Sequence, residues 1–188
     1  MGELHVFYGP MKSGKTKALL DWASEYHSEG GLYVKPATDT RSSRIFSRDG
    51  LEVPCRCLDD PAELYDAGCS SIFIDEAQFF PDALVDIIEH LTSNGTDVVA
   101  AGLDLDYRGE PFGPMPGLMR LADKAYRLVA RCSYGDCDLP ATHTQRLING
   151  KPAPYDDGAL ISIEGSNPDE VYEPRCSWHH VVPKSYVP

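Results

Sequence analysis

Apolar and polar positions along this chain fall into blocks that read as alternating strands and helices. "LHVFYG" (4–9) is a short apolar run closed by glycine, and "KTKALLDWASEYHSEG" behind it sets Ala18, Leu19, Trp22 and Tyr26 at helical spacing. Strand, glycine loop and helix are therefore predicted as the first unit. "GLYVKP" (31–36) predicts a second strand, and the polar stretch "ATDTRSSR", with no apolar period, predicts a loop at its carboxyl end. "RIFSRDGLEVPCRCL" reads as a hairpin turning at Asp49-Gly50. "SSIFIDE" is an apolar strand ending in two carboxylates. "PDALVDIIEHLTSNG" is a helix with Pro81 at its start and Gly95 just past its end, and "TDVVAAGLD" repeats the strand pattern.

Apolar strands alternating with amphipathic helices predict an α/β fold, a parallel sheet flanked by helices, with ligands at the carboxyl ends of the strands. Gly9, Asp39, Asp75 and Asp104 all fall just beyond such ends. After "LADKAYRLVAR" the character changes: prolines and cysteines cluster, long apolar runs stop, and Asn149-Gly150 marks a turn. The expected division is an α/β domain over 1–131 and a small lobe over 132–188.

At 188 residues the chain is long enough to bury a real core. Its 29 acidic residues against 17 basic ones give a net charge of −12, a field that repels polyanions, so nucleic acid is not an expected partner. No stretch approaches the roughly 20 apolar residues of a membrane span, and "MGELHVFYG" lacks the basic start of a secretion signal. A cytoplasmic protein is expected. In that compartment the six cysteines argue for metal binding or burial rather than disulfides.

Gly9-Pro10-Met11-Lys12-Ser13-Gly14-Lys15-Thr16 fits the phosphate-loop pattern G-x-x-x-x-G-K-S/T in full, after an apolar strand and at the opening of a helix. Its backbone amides suit the phosphate oxygens of ATP, Lys15 the β and γ groups, and the Thr16 hydroxyl Mg²⁺. Asp75, at the end of "SIFI", is placed to hold the same Mg²⁺. Glu76 beside it suits a general base for an attacking hydroxyl; the plainer reading is a solvated charge at a strand end.

"GPMKSGKT", "KPATDTR", "FIDEAQFF", "GLDLDYRGEPFGPM", "TQRLINGKPA" and "YEPRCSWHH", in this order, resemble the zinc-containing cytosolic (type II) thymidine kinases over nearly the whole chain. The resemblance implies a P-loop NTPase-type domain with a zinc-held lobe, a homotetramer, and transfer of the ATP γ-phosphate to the 5′-hydroxyl of thymidine. It makes Glu76 the catalytic base and puts Asp39 and Arg41 near the reacting phosphate. A fixed guanidinium there would stabilise charge spreading over the transferred group, whereas the plainer reading is a solvated ion pair. Phe79, Tyr107 and Phe112 match positions that enclose the nucleoside, although aromatic residues at such places are often simply core. Met11, Leu103 and Thr144 match positions around the base's 5-substituent, and Tyr172 one near the sugar. Gln78, Ile161 and Ile163 complete the implied substrate set. The segment "DDGALISIEGSNPDEVYEPRC" departs from the family pattern: Ser162-Ile163-Glu164-Gly165 and extra residues around Asn167-Pro168 stand where relatives carry a short Gly-Gly stretch.

Cys132 and Cys137 enclose four residues including Gly135, and Cys176 and His179 enclose two. Two close pairs suit a closed Cys₃His site for structural zinc, with His180 as an alternative fourth ligand. The first pair is wider than is usual in the family. A lobe so poor in apolar residues needs such a staple, since a structural zinc supplies on the order of 10 kcal/mol. The other reading is a set of reduced thiols packed as small hydrophobes. Cys55, Cys57 and Cys69 are expected to be structural. Two further functions remain compatible with a phosphate loop: an ATPase acting on nucleic acid, which the acidic "YDDGALISIEGSNPDE" opposes, and a nucleotide-dependent regulatory protein.

Overall fold

The computed structural model describes residues 1–26, 31–38, 43–47, 49–156 and 167–184. The elements in chain order are β1 (Leu4–Tyr8), α1 (Lys15–Tyr26), β2 (Leu32–Pro36), β3 (Arg44–Phe46), β4 (Glu52–Pro54), β5 (Arg56–Leu58), β6 (Ser71–Ile74), α2 (Leu84–Ser93), β7 (Asp97–Gly102), α3 (Met115–Leu121), β8 (Lys124–Arg127), β9 (Ala130–Arg131), β10 (Pro140–Ala141), β11 (His143–Ile148), β12 (Lys151–Pro152) and β13 (Glu170–Arg175). They form two compact units. The first comprises Met1–Tyr8, Gly14–Asp104 and Phe112–Leu128, and the second Gly9–Ser13, Leu105–Pro111 and Val129–Pro188.

The first unit is built on a six-stranded sheet in the order β5-β2-β6-β7-β1-β8, every neighbouring pair parallel. Its strands read as continuous apolar runs because both faces are covered. Val98 and Ala100 of β7, with Ile72 and Ile74 of β6, pack with Leu84, Ile87, Ile88 and Leu91 of α2 and Met115 and Leu118 of α3. The intervening Val99, Ala101 and Phe73 join Leu19, Leu20 and Ala23 of α1 in a second cluster. Successive side chains thus point to opposite faces and each face has its own helical cover.

Helix α2 ends as its sequence predicts. Thr96 N–H donates to Leu91 O and Gly95 N–H to Thr92 O, the paired bonds of a Schellman motif, with glycine at the position that favours a left-handed backbone. Helix α1 buries Leu19, Leu20 and Ala23. Tyr26 of the predicted apolar stripe is exposed, its ring 4.8 Å from that of Trp22. The hairpin predicted at Asp49-Gly50 pairs β3 with β4 and then stops. Pro54 faces Arg44 without breaking the ladder, since Cys55 N–H still donates to Ser43 O at 3.1 Å, and the chain beyond it, β5, leaves the hairpin to pair with β2 in the main sheet.

The second unit is antiparallel. Strands β12-β11-β13 form one small sheet, and β9 and β10 a ribbon beside it. Asn149-Gly150 makes the two-residue turn between β11 and β12, both residues at positive φ as a type I′ turn requires. Among the described residues no helix is long and apolar enough to cross a membrane.

Candidate active site and metal centre

In the first unit the phosphate loop ends where α1 begins, so the amides at that helix start have no intrahelical partner. Gly14 sits at φ +85°, a conformation that costs glycine little and turns the backbone into the helix. The Thr16 hydroxyl donates to the Asp75 carboxylate, at 3.0 Å to Oδ2 and 3.2 Å to Oδ1. Asp75 follows β6 directly and is buried; burial first, and then the neighbouring Glu76 charge, push its carboxyl up to about 7, against the pull of Thr16, the Glu76 backbone and Lys15. Ser13 Oγ, in the stretch of the loop that belongs to the second unit, is buried with no hydrogen-bond partner among the described residues. In the first unit the Thr16 hydroxyl and the Asp75 carboxylate are a pair of hard oxygen donors at the start of a helix, which fits the Mg²⁺ of a bound triphosphate.

Glu76 is one of few non-glycine residues in the left-handed region, at φ 53° and ψ 39°, a backbone state costing on the order of 1–3 kcal/mol. It opens a tight turn in which Phe79 N–H donates to Glu76 O. Gln78 is buried in that turn. Its Nε2 donates to Glu76 Oε2 at 2.7 Å, and its Oε1 accepts from Leu103 N–H at 2.9 Å. The rings of Phe79 and Phe112 meet edge to face at 5.5 Å. The structure therefore gathers Thr16, Asp75, Glu76, Gln78, Phe79, Leu103 and Phe112 within the first unit.

The second unit gathers a different subset. Tyr107 and Tyr172 pack with Ala153, Ile148 and Met11, and Met11 N–H donates to Thr144 Oγ1 at 3.0 Å. Arg146 Nε donates to Glu170 Oε1 at 2.6 Å, the Tyr172 hydroxyl donates to the same oxygen at 2.6 Å, and the Arg146 guanidinium lies 5.1 Å from the Tyr107 ring centre. His180 Nε2 donates to Tyr107 O at 2.9 Å.

Cys132, Cys137, Cys176 and His179 bring their ligand atoms within 4.8 Å of one another. His179 Nδ1 faces Cys176 Sγ at 3.3 Å and Cys132 Sγ at 3.6 Å. A tetrahedral site with arms near 2.3 Å has edges of about 3.8 Å, so the cluster is of a size that fits zinc. Burial opposes ionisation of Cys132, but hydrogen bonds from the Cys176 and Tyr134 backbone, and then from the His179 and Cys176 side chains, outweigh it and bring the thiol down to about 6. His180, the alternative ligand, is engaged with Tyr107 instead.

A family model described as thymidine kinase matches residues 2–180. The chain belongs to the thymidine kinase family. It is 40% identical over 190 residues to a thymidine kinase of Mycoplasmoides gallisepticum, a match spanning 97% of this chain and 82% of that protein. A thymidine kinase of Coprothermobacter proteolyticus is 43% identical over 188 residues, spanning 97% and 92%. As a member of the thymidine kinase family the chain is an enzyme, a kinase that uses ATP and acts on thymidine.

Of the family motifs, the loop carrying Asp39 and Arg41 and the segment carrying Ile161 and Ile163 lie outside the described residues. Sequence reasoning missed Arg146, Glu170 and Ala153, although Arg146 stands in the quoted "TQR" two residues after Thr144. It also read Gln78 as a nucleoside contact without seeing the bonds to Glu76 and Leu103.

Proposed function

We propose that this thymidine kinase family member transfers the ATP γ-phosphate to the 5′-hydroxyl of thymidine with Glu76 as general base. The carboxylate takes the hydroxyl proton as the O5′–Pγ bond forms and the bond to the β-phosphate bridge breaks, leaving ADP. The observation that carries this reading is the adjacency at the end of β6: Asp75 is tied to Thr16 of the phosphate loop, and the next residue is a carboxylate held by a side-chain amide.

In this reading the loop Gly9, Pro10, Met11, Lys12, Ser13 and Gly14 binds the phosphates together with Lys15, through backbone N–H groups of which Pro10 has none and Met11 gives its own to Thr144 Oγ1. Thr16 and Asp75 hold Mg²⁺, which when bound screens charge on the β- and γ-oxygens. Asp39 and Arg41 attend the transferred group. Phe79, Leu103, Phe112, Met11, Tyr107, Thr144, Ile161, Ile163 and Tyr172 enclose the nucleoside, and Gln78 completes the substrate set through its bond to Glu76. Residues 1–131 carry the ATP chemistry, and 132–188 carry the nucleoside loop on a structural zinc held by Cys132, Cys137, Cys176 and His179. The enzyme is a cytoplasmic homotetramer.

The test is ADP release from ATP and Mg²⁺ with and without thymidine, repeated with Glu76→Gln. Release should require thymidine, and the substitution should lower kcat by roughly 10²–10⁴-fold while ATP binding survives. Undiminished turnover would remove Glu76 from the role, and release that depends on DNA would favour the nucleic-acid ATPase that the net charge of −12 opposes.

A further inference from the structure

We infer that Gln78 is a positioning residue for the transfer step: its carboxamide ties the Glu76 carboxylate to the main chain at Leu103 and so sets the direction from which the base meets the hydroxyl. The inference rests on the reading of Glu76 as base.

Gln78 is only 2% exposed, so its polar atoms need partners inside the protein. Leu103 N–H can only donate, so it selects the amide oxygen, at 2.9 Å. The NH₂ group must then face the other way, and there it meets Glu76 Oε2 at 2.7 Å, a bond to a carboxylate oxygen and correspondingly strong. The orientation of the amide is thus dictated by the backbone directly after β7, and that of the Glu76 carboxylate by the amide.

Glycines make room for this link. A Cβ at Gly102 would stand 2.8 Å from Gln78 Oε1 and 2.6 Å from Met115 Sδ, and a Cβ at Gly113 would stand 2.2 Å from Gln78 O. The side chain and the main chain of Gln78 are therefore each confined by a separate glycine. The left-handed backbone of Glu76 sets where the side chain starts, and the Gln78 amide sets where it ends. A base displaced by about 1 Å can lose on the order of 100-fold in rate, so a fixed carboxylate is worth a buried polar residue.

The experiment compares Gln78→Met, Gln78→Asn and Gln78→Glu in the full chain, assayed well below their melting temperatures. Gln78→Met removes both bonds. Gln78→Asn keeps a buried amide but withdraws it by one methylene. Gln78→Glu keeps an acceptor for Leu103 N–H and replaces the donor facing Glu76 by a carboxylate. All three should lose kcat roughly 10- to 100-fold with KM for ATP and thymidine within about twofold, and Gln78→Glu should be no better than Gln78→Met. Added to Glu76→Gln, Gln78→Met should cost no further activity. Wild-type kcat in Gln78→Glu would reduce Gln78 to a support for Leu103, and a loss confined to the thymidine KM would make it a direct nucleoside contact. Full additivity of the two substitutions would also overturn the inference. Undiminished turnover in Glu76→Gln defeats the base assignment itself, whereas a defective Glu76→Gln beside an unaffected Gln78→Met defeats only the positioning role.

Discussion

Arg146 and Glu170 form an ion pair at 2.6 Å while only 3% and 9% exposed, and the glutamate oxygen they share also accepts the Tyr172 hydroxyl. Removing one partner strands the other charge in a buried site, at a cost of about 3–5 kcal/mol, whereas replacing both by apolar residues leaves no unpaired charge of the pair and takes the acceptor only from the Tyr172 hydroxyl. Arg146→Met should therefore lower the melting temperature markedly, and Arg146→Met with Glu170→Met should recover much of the loss. Since the guanidinium lies against Tyr107 and the carboxylate holds Tyr172, the single variant should also raise the thymidine KM. Calorimetry and steady-state kinetics on the single and double variants check this.

Asp75 gives the ligand-free protein a pH dependence of definite sign. Burial, followed by the Glu76 charge, raises its carboxyl from the ordinary 3.8 to about 7, so the native state keeps a proton that the unfolded chain releases. Its contribution to stability is fully present below about 4 and is lost as pH rises through 7. Asp75→Asn removes that loss. At pH 8, free of nucleotide and metal, the variant should melt higher than the parent by roughly a few °C, with the gap narrowing at pH 5 and closing below about pH 4. It should also be inactive. Melting curves for both proteins across this range decide the point.

The Cys132, Cys137, Cys176 and His179 cluster should carry one zinc per chain, measurable by atomic absorption, and Cys176→Ala should abolish it. Loss of the metal removes on the order of 10 kcal/mol from a lobe with few buried apolar residues. The variant should lose hydrogen-exchange protection in β9–β13 while the parallel sheet of the first unit keeps its own.

Gly113 sits at φ +49°, and an added Cβ would lie 2.2 Å from the Gln78 carbonyl oxygen. Gly113→Ala combines a left-handed backbone with a main-chain clash, and should cost at least on the order of 1–3 kcal/mol. Activity should fall with it, because the turn that bears Glu76 must shift. Thermal melting and kcat measured together test both halves of the expectation.

What the sequence made readable is what is local. The phosphate loop, the strand running into Asp75 and Glu76, the capped helix over 84–93 and the cysteine pairs each lie within a few residues, where spacing carries the physics. Helix α3 and strand β8 escaped because α3 spans only Met115–Leu121 with Pro116 and Gly117 in its first turn, and β8 is short with charged ends. The Arg146–Glu170 pair joins positions separated by another strand, and no periodicity announces it. The positive φ of Glu76 was equally hidden, since glycine is the usual sign of that backbone and none stands there.

Tyr172 and Cys176 lie four residues apart, the first on β13 and the second directly after it. Along an extended chain that even spacing puts Tyr172, proposed to flank the nucleoside, and Cys176 of the cysteine–histidine cluster on the same side. Anyone reshaping this pocket to accept a bulkier sugar inherits a constraint of parity: a single inserted residue between the two would turn the tyrosine to the opposite face, whereas a pair of residues would preserve its aim and merely lengthen the stalk.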